Sequence, residues 1–242
     1  LWCFGLAGVT ALYLALFPTY AAVISDRLGL FPSTLLDLFG LANILVPSEY
    51  VHTTVYGLIG IVILLTYAIG LGGRAIAGTE EEGSLELVVA HAVSRSGILT
   101  ARAVVLTLLV SIAAAVTGIA VVVVSWIASI DIVPANVVAV TCAFGLLALL
   151  HGYIALAVGA ATGRRSWALT AAVVVAVFGY LANHIGSYLA DWVPKLSPFH
   201  WAYHNKPLEH GFEVGGLGLL VGGIVIALLV AFLGFNRRDL QT

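Results

Sequence analysis

Charge is what this chain has least of. Lys, Arg, Asp and Glu make up 9% of its 242 residues, against 61% hydrophobic ones, where a soluble domain carries roughly 25% charge. Together with a mean hydropathy of +1.09, that scarcity excludes a soluble domain and marks a polytopic membrane protein. A net charge of -2 offers no basic surface for nucleic acid, which drops out as a partner. The two cysteines, Cys3 and Cys142, lie in apolar runs and give no sign of a disulfide framework or a zinc site. No GxxxxGK[ST] phosphate loop occurs, so the chain has no route of that kind to ATP hydrolysis. Methionine is absent, and Leu1 already stands inside an apolar run, so an N-terminal segment is expected to precede it. No internal repeat, low-complexity tract or second domain is visible; residues 1–242 read as one transmembrane domain.

What the chain has in abundance is apolar runs of membrane length. A helix needs roughly 20 such residues to cross the hydrocarbon core, and six stretches qualify: about 1–24, 52–72, 98–130, 135–162, 166–189 and 214–235. The expected fold class is all-α with six transmembrane helices. Pro18 is a candidate kink in the first, and the third exceeds a span's needs, so tilt or extension is expected there. Basic residues set the orientation, because cytoplasmic loops carry the excess of Lys and Arg. Arg74, Arg95, Arg102, Arg164, Arg165, Arg237 and Arg238 fall on one side and Arg27, Lys195 and Lys206 on the other. Both termini and the link between the second and third spans are therefore expected in the cytoplasm.

On the outer side, residues 25–51 are too apolar for a solvated linker and are expected to form short surface helices. Between the fifth and sixth spans, DWVPKLSPFHWAYHNKPLEHGFE is expected to be re-entrant or interfacial, with Trp192, Phe199, Trp201 and Tyr203 at headgroup depth. His200 and His204 would share a helix face, but i, i+4 spacing without a third ligand leaves no metal site assigned. His151, Tyr180, Asn183 and His184 are polar groups near membrane depth, where burial without partners is costly. They either hydrogen-bond between helices or line a substrate path. Gly218 and Gly222 form a GxxxG pattern, and Gly70, Gly72 and Gly73 cluster in the second span; both read as packing surface.

One stretch breaks the apolar pattern: Gly78 to Arg102, GTEEEGSLELVVAHAVSRSGILTAR. Thr79 with Glu82 matches a capping box, and Glu80 and Glu81 put negative charge where a first turn favours it, so a helix is expected to begin here. Leu85, Val88, Val89 and Ala92 then share one apolar stripe, with Glu82 and Glu86 elsewhere on the surface. Gly83 weakens the helix. VSRSG breaks the pattern and offers Ser94 or Ser96 as the next cap, after which Arg95 and Arg102 share a face near the membrane surface. From the residues alone this is either a solvated loop or a cytoplasmic coupling helix spanning 78–96.

The same residues carry a resemblance. Ala77-Gly78-Thr79-Glu80-Glu81-Glu82-Gly83-Ser84-Leu85-Glu86-Leu87-Val88-Val89-Ala90 followed by Ala92-Val93-Ser94-Arg95 resembles the AGEEExGTLELLLAxPVSR signature of type-2 ABC transporter permeases. The nearest likeness is to the polyketide-antibiotic and multidrug exporters. It extends to SPFHW at Ser197 to Trp201, to Asn205-Lys206-Pro207-Leu208, and to Phe235-Asn236-Arg237-Arg238-Asp239-Leu240. His91-Ala92 departs from the usual proline and softens the break after the helix.

The resemblance implies half of a twelve-span pore in a bacterial or archaeal cell membrane. It pairs with a second permease half, identical or homologous, and with cytoplasmic ABC ATPase subunits. By it, Thr79, Glu80, Glu81, Glu82, Gly83, Leu85 and Glu86 belong to the ATPase-coupling element, with Arg95 just beyond. No residue is catalytic and no cofactor belongs to this chain; ATP and Mg bind the partner ATPase. The cargo is a hydrophobic or amphipathic small molecule, such as a drug, an antibiotic or a lipid-like compound, exported from within membrane lipid. The alternative is an ion-gradient-driven secondary transporter or channel. Against that alternative, the 12 acidic residues all fall in links or at the tail.

Overall fold

The computed structural model describes residues 2–24, 32, 35–36, 46–81, 94–128, 130 and 132–237, and every element among them is helical. In chain order these are α1 (Trp2–Ile24), α2 (Pro47–Glu81), α3 (Arg95–Ile127), α4 (Pro134–Thr162), α5 (Arg165–Ile185, extended by a 3-10 turn Gly186–Tyr188), α6 (Pro198–Tyr203), α7 (Pro207–His210) and α8 (Val214–Arg237). Five helices are long and apolar enough to cross a membrane: α2, α3, α4, α5 with its 3-10 extension, and α8. The first expected span lies on α1, whose described apolar part is the shorter Trp2–Phe17. The chain is an all-α, membrane-embedded protein. Large apolar side chains such as Leu108, Ile119, Phe178 and Leu229 stand exposed on the outer faces of the bundle, a surface that water does not tolerate and lipid does.

Helix α4 is the axis of the bundle and packs against α2, α3, α5 and α8. Its sequence is apolar all round, as a helix with no solvated face must be. Small residues at Ala139, Ala143, Ala148, Gly152, Ala155 and Gly159 are buried along it and let neighbouring backbones come close, which is how helices associate where lipid removes the hydrophobic incentive. At the closest crossing, a Cβ added to Gly72 of α2 would lie 2.0 Å from the Gly152 carbonyl oxygen. Pro134 opens α4 at a position where the missing N–H costs nothing. Gly163, at φ 68°, closes it with a left-handed residue whose N–H donates to Gly159 O at 2.9 Å.

Two expectations about helix boundaries are corrected. The second span, placed at 52–72, is part of a 35-residue helix running from Pro47 to Glu81. It passes through two π segments, His52–Leu58 and Arg74–Gly78. Gly60 permits the first, since a Cβ there would meet Val55 O at 2.0 Å. Thr79 opens no new helix: its backbone is already helical, at φ -71° and ψ -26°. Its hydroxyl donates backward to Ile76 O at 2.8 Å; Glu82, the other half of the expected capping box, lies outside the described residues. The π segment carries the chain through without a break. At the next boundary Ser94, not Ser96, is the cap, with its Oγ accepting from Gly97 N at 3.1 Å, and α3 starts three residues earlier than the expected 98. Residues 82–93 of the expected coupling element 78–96, and most of 25–45 in the expected surface segment 25–51, lie outside the described residues.

The glycine pattern also sorts differently. Within this chain the close approaches of α8 are made by Gly216 against Trp201 O, Gly223 against Leu150 and Gly234 against Ala161, while Gly218 and Gly222 face open space. Among the α2 glycines, Gly72 and Gly73 face α4 and α5, and Gly70 faces open space.

Candidate functional site

The two ends of the bundle differ in chemistry. One carries the arginines; the other carries Glu49, His52, Lys206 and the connection from α5 to α8. That connection folds back onto α4, α5 and α8, and the SPFHW residues do the docking. Ser197 caps α6, accepting from Phe199 N at 3.1 Å while donating to Gly179 O on α5 at 2.6 Å. Pro198 takes the first helical position, and Phe199 is buried between His151 and Tyr180, with ring centroids at 5.9 and 5.6 Å. Trp201 Nε1 donates to Lys195 O at 2.7 Å.

Behind α6 lies a pocket of about 140 Å³ lined by Glu49, His52, Thr53, Asn183, His184 and Tyr203 among others. The first π segment supplies one wall, a backbone feature that recurs at functional sites. Its Tyr56 carbonyl accepts from the Tyr203 hydroxyl at 2.9 Å, and the Tyr203 ring meets His52 edge-on at 4.9 Å. Burial holds the Tyr203 phenol protonated, well above the ordinary tyrosine range, with Tyr56 nearby adding to the shift. His52 Nδ1 is buried with no hydrogen-bond partner among the described residues. His184 donates from Nδ1 to Tyr180 O at 3.0 Å and stacks on that ring at 4.1 Å. The pocket can thus offer imidazole nitrogens, a carboxylate and an amide to a proton, a few waters or a small polar group. Its mouth is tied by Lys206, ion-paired with Glu49 and 4.0 Å from Glu209. The hydrogen bond to Glu49 raises the Lys206 pKa, against a smaller lowering by burial.

The four expected pathway residues thus separate. Asn183 and His184 line the pocket. His151 is buried in the core, donating from Nδ1 to Leu147 O at 2.8 Å, with Nε2 unpartnered among the described residues. Tyr180 bridges Phe199 and His184. Glu49, His52 and Tyr203 were not singled out as pathway residues, because the first two sit at the edge of an apolar run and Tyr203 reads as an interfacial aromatic. His200 and His204 stack at 4.2 Å, and no group of three metal-ligating side chains occurs among the described residues.

At the opposite end, Thr79, Glu80 and Glu81 are the last described residues of α2, and Arg95 is the first residue of α3. Glu82, Gly83, Leu85 and Glu86 lie outside the described residues. Glu81 Oε1 accepts from the backbone N–H of Arg165 at 2.8 Å, which places a carboxylate on the first turn of α5, where the helix leaves donors unsatisfied and favours negative charge. Arg95 Nη1 donates to Phe235 O at 3.4 Å, near the end of α8. The charged stretch is therefore fastened at its entry to α5 and at its exit to α8. Arg95 and Arg102 part company: Arg102 turns toward α2, where with Arg74 and Arg165 it lines a cavity of about 430 Å³.

No protein-family model and no curated protein matches the chain.

Two expected results concern the docked connection. Tyr203→Phe keeps the ring against His52 but leaves the Tyr56 carbonyl buried and unpaired, so a loss of about 1–3 kcal/mol is expected in detergent unfolding; an unchanged midpoint would show that another donor serves that carbonyl. His200 has its pKa lowered by burial, then by His204 and Lys195, with Glu213 opposing. The unfolded chain binds this proton more readily, so stability is fully present above the ordinary His value of about 6.5 and falls as pH drops through the lowered one. His200→Gln is expected to flatten that acid limb in thermal unfolding as pH is lowered from about 7.

Proposed function

We propose that the chain is the membrane-spanning subunit of an ATP-driven exporter of the type-2 ABC permease class it resembles. In this reading α1 completes a set of six spans, the arginine-rich end and both termini face the cytoplasm, and a second permease half completes the pore. A separate ATPase subunit, which binds ATP and Mg, docks on the link between α2 and α3. A hydrophobic or amphipathic cargo moves outward when the ATPase pair closes and pushes that link.

The observation that carries the proposal is the double fastening of the charged stretch, Glu81 to the start of α5 and Arg95 to the end of α8. A displacement of the link is delivered at once to α2 and α5 on one side and to α3 and α8 on the other. That is how a rigid-body shift spreads through a bundle whose helices are packed too closely to deform. The test is co-purification from native membranes: a stoichiometric ATP-binding subunit is expected, and its absence under conditions that preserve other membrane complexes overturns the reading.

A second reading, an ion-gradient-driven transporter or channel, draws on the buried His52 nitrogen beside Glu49, Asn183 and His184. It predicts substrate movement in vesicles driven by a pH or cation gradient alone. The exporter reading predicts none without ATP and the partner.

A further inference from the structure

The arginine-lined cavity is not a closed feature. Leu71, Arg74 and Arg165 also line a second cavity of about 600 Å³, which runs along α2 and α5 toward the middle of the membrane. The walls of this second cavity are Val62, Gly70, Leu169, Val173 and Val177, with Trp2 of α1 beside them. An apolar groove of membrane depth thus opens at one end into a chamber with three guanidinium groups. Among the described residues no ion pair holds Arg74, Arg102 or Arg165, and the Arg165 Nε is buried without a hydrogen-bond partner. The nearby Glu81 has given Oε1 to the Arg165 backbone N–H. A bare guanidinium nitrogen in a buried place is costly unless an acceptor completes it, and a phosphate offers acceptors in the geometry that guanidinium groups favour.

We propose that this composite cavity binds one anionic phospholipid, its phosphate on Arg74, Arg102 and Arg165 and an acyl chain along the groove between α2 and α5. The inference needs only that the chain is membrane-embedded, so it stands apart from the exporter reading. Charge complementarity names the headgroup, and continuity with the groove names a lipid over a free phosphate ester. Basic chambers between spans at a membrane surface are suited to this chemistry.

Native mass spectrometry of the full chain, purified in detergent with equal amounts of dioleoylphosphatidylglycerol and dioleoylphosphatidylcholine, tests the proposal. The wild type is expected to retain the anionic lipid in excess. Arg74→Gln with Arg102→Gln is expected to lower that retention by about fivefold for each arginine removed, while Arg164→Gln, which lines neither cavity, leaves it unchanged. Gly70→Leu guards against a misfolded double variant: a Cβ there meets no atom within 4 Å, so the side chain enters the groove, changes no charge and lowers retention of the lipid. Equal retention of the two lipids by the wild type overturns the proposal, as does unchanged retention in the arginine double variant. Displacement of the lipid by glycerophosphoglycerol at equal concentration would assign the chamber to free phosphate esters and also overturn it. So would a Gly70→Leu protein that keeps its lipid but forms a smaller oligomer than the wild type, since the groove would then belong to a second copy.

Discussion

Gly72→Ala is expected to destabilise the bundle, and Gly70→Ala to stabilise it. Both sit in α2, two residues apart, and helix propensity favours alanine at each by about 1 kcal/mol. At Gly72 the new methyl would stand 2.0 Å from Gly152 O and 3.1 Å from the Ala155 Cβ. Both belong to α4, the axis of the fold, and backbone cannot swing aside as the end of a long side chain can. Overpacking of a tight contact costs about 1–3 kcal/mol, and a carbonyl fixed within a buried helix puts this one at the upper end. The clash therefore outweighs the propensity gain, and a net loss of about 1–2 kcal/mol follows. At Gly70 nothing lies within 4 Å, so only the gain survives. Unfolding midpoints in a single detergent for the two variants and the wild type provide the measurement; shifts of the same sign would mean that α2 and α4 do not cross at Gly72.

That pair also shows what could be read from the letters and what could not. Runs of apolar residues place α3, α4, α5 and α8 to within a few residues, because a membrane demands about 20 of them in a row and little else in the chain supplies that. That a serine caps α3 was legible too, but the choice of Ser94 over Ser96 came from the bond between its Oγ and Gly97 N. Which face of a helix meets which neighbour was not legible. In a helix apolar on every side, Gly218 and Gly216 look alike, yet only Gly216 meets the Trp201 carbonyl. The continuity of α2 was hidden for a different reason. Thr79 and Glu82 have the right types and spacing for a helix start, and no residue type announces that a π segment over Arg74–Gly78 will carry the preceding helix into them. Arginines posed a third problem. Arg74 and Arg165 served only to count charge per loop and Arg102 was paired with Arg95 by helix spacing; the convergence of the three on one chamber depends on α2, α3 and α5 meeting at that end.

The second large effect is functional. Glu81→Lys combined with Glu82→Lys is expected to uncouple the proposed ATPase from transport while leaving the chain inserted and folded. The Glu81 side chain is exposed, so its replacement disturbs no core contact, but its carboxylate is the acceptor for the first N–H of α5. Losing such a cap costs about 1 kcal/mol, and a cation placed at the positive end of a helix adds repulsion of about 0.3–1 kcal/mol. Arg74, Arg102 and Arg165 already crowd that end, which strengthens the sign. What fails is the tie between α2 and α5, by which, in the proposed mechanism, a push on the link reaches a second span. Coupling energies spread through such contacts run at about 0.5–2 kcal/mol, so a drop of about 2- to 30-fold is expected in substrate-stimulated ATP hydrolysis and in transport. The assay is co-reconstitution with the ATPase partner in proteoliposomes. Glu81→Gln separates the two causes: its amide oxygen still accepts from Arg165 N, so it should remain near wild type if the hydrogen bond carries the coupling and fall with the double variant if the charge does. Full transport by the Glu81→Lys, Glu82→Lys protein would remove this end of α2 from the coupling path and leave Arg95, held to Phe235 O, as the remaining fastening through which the link could act.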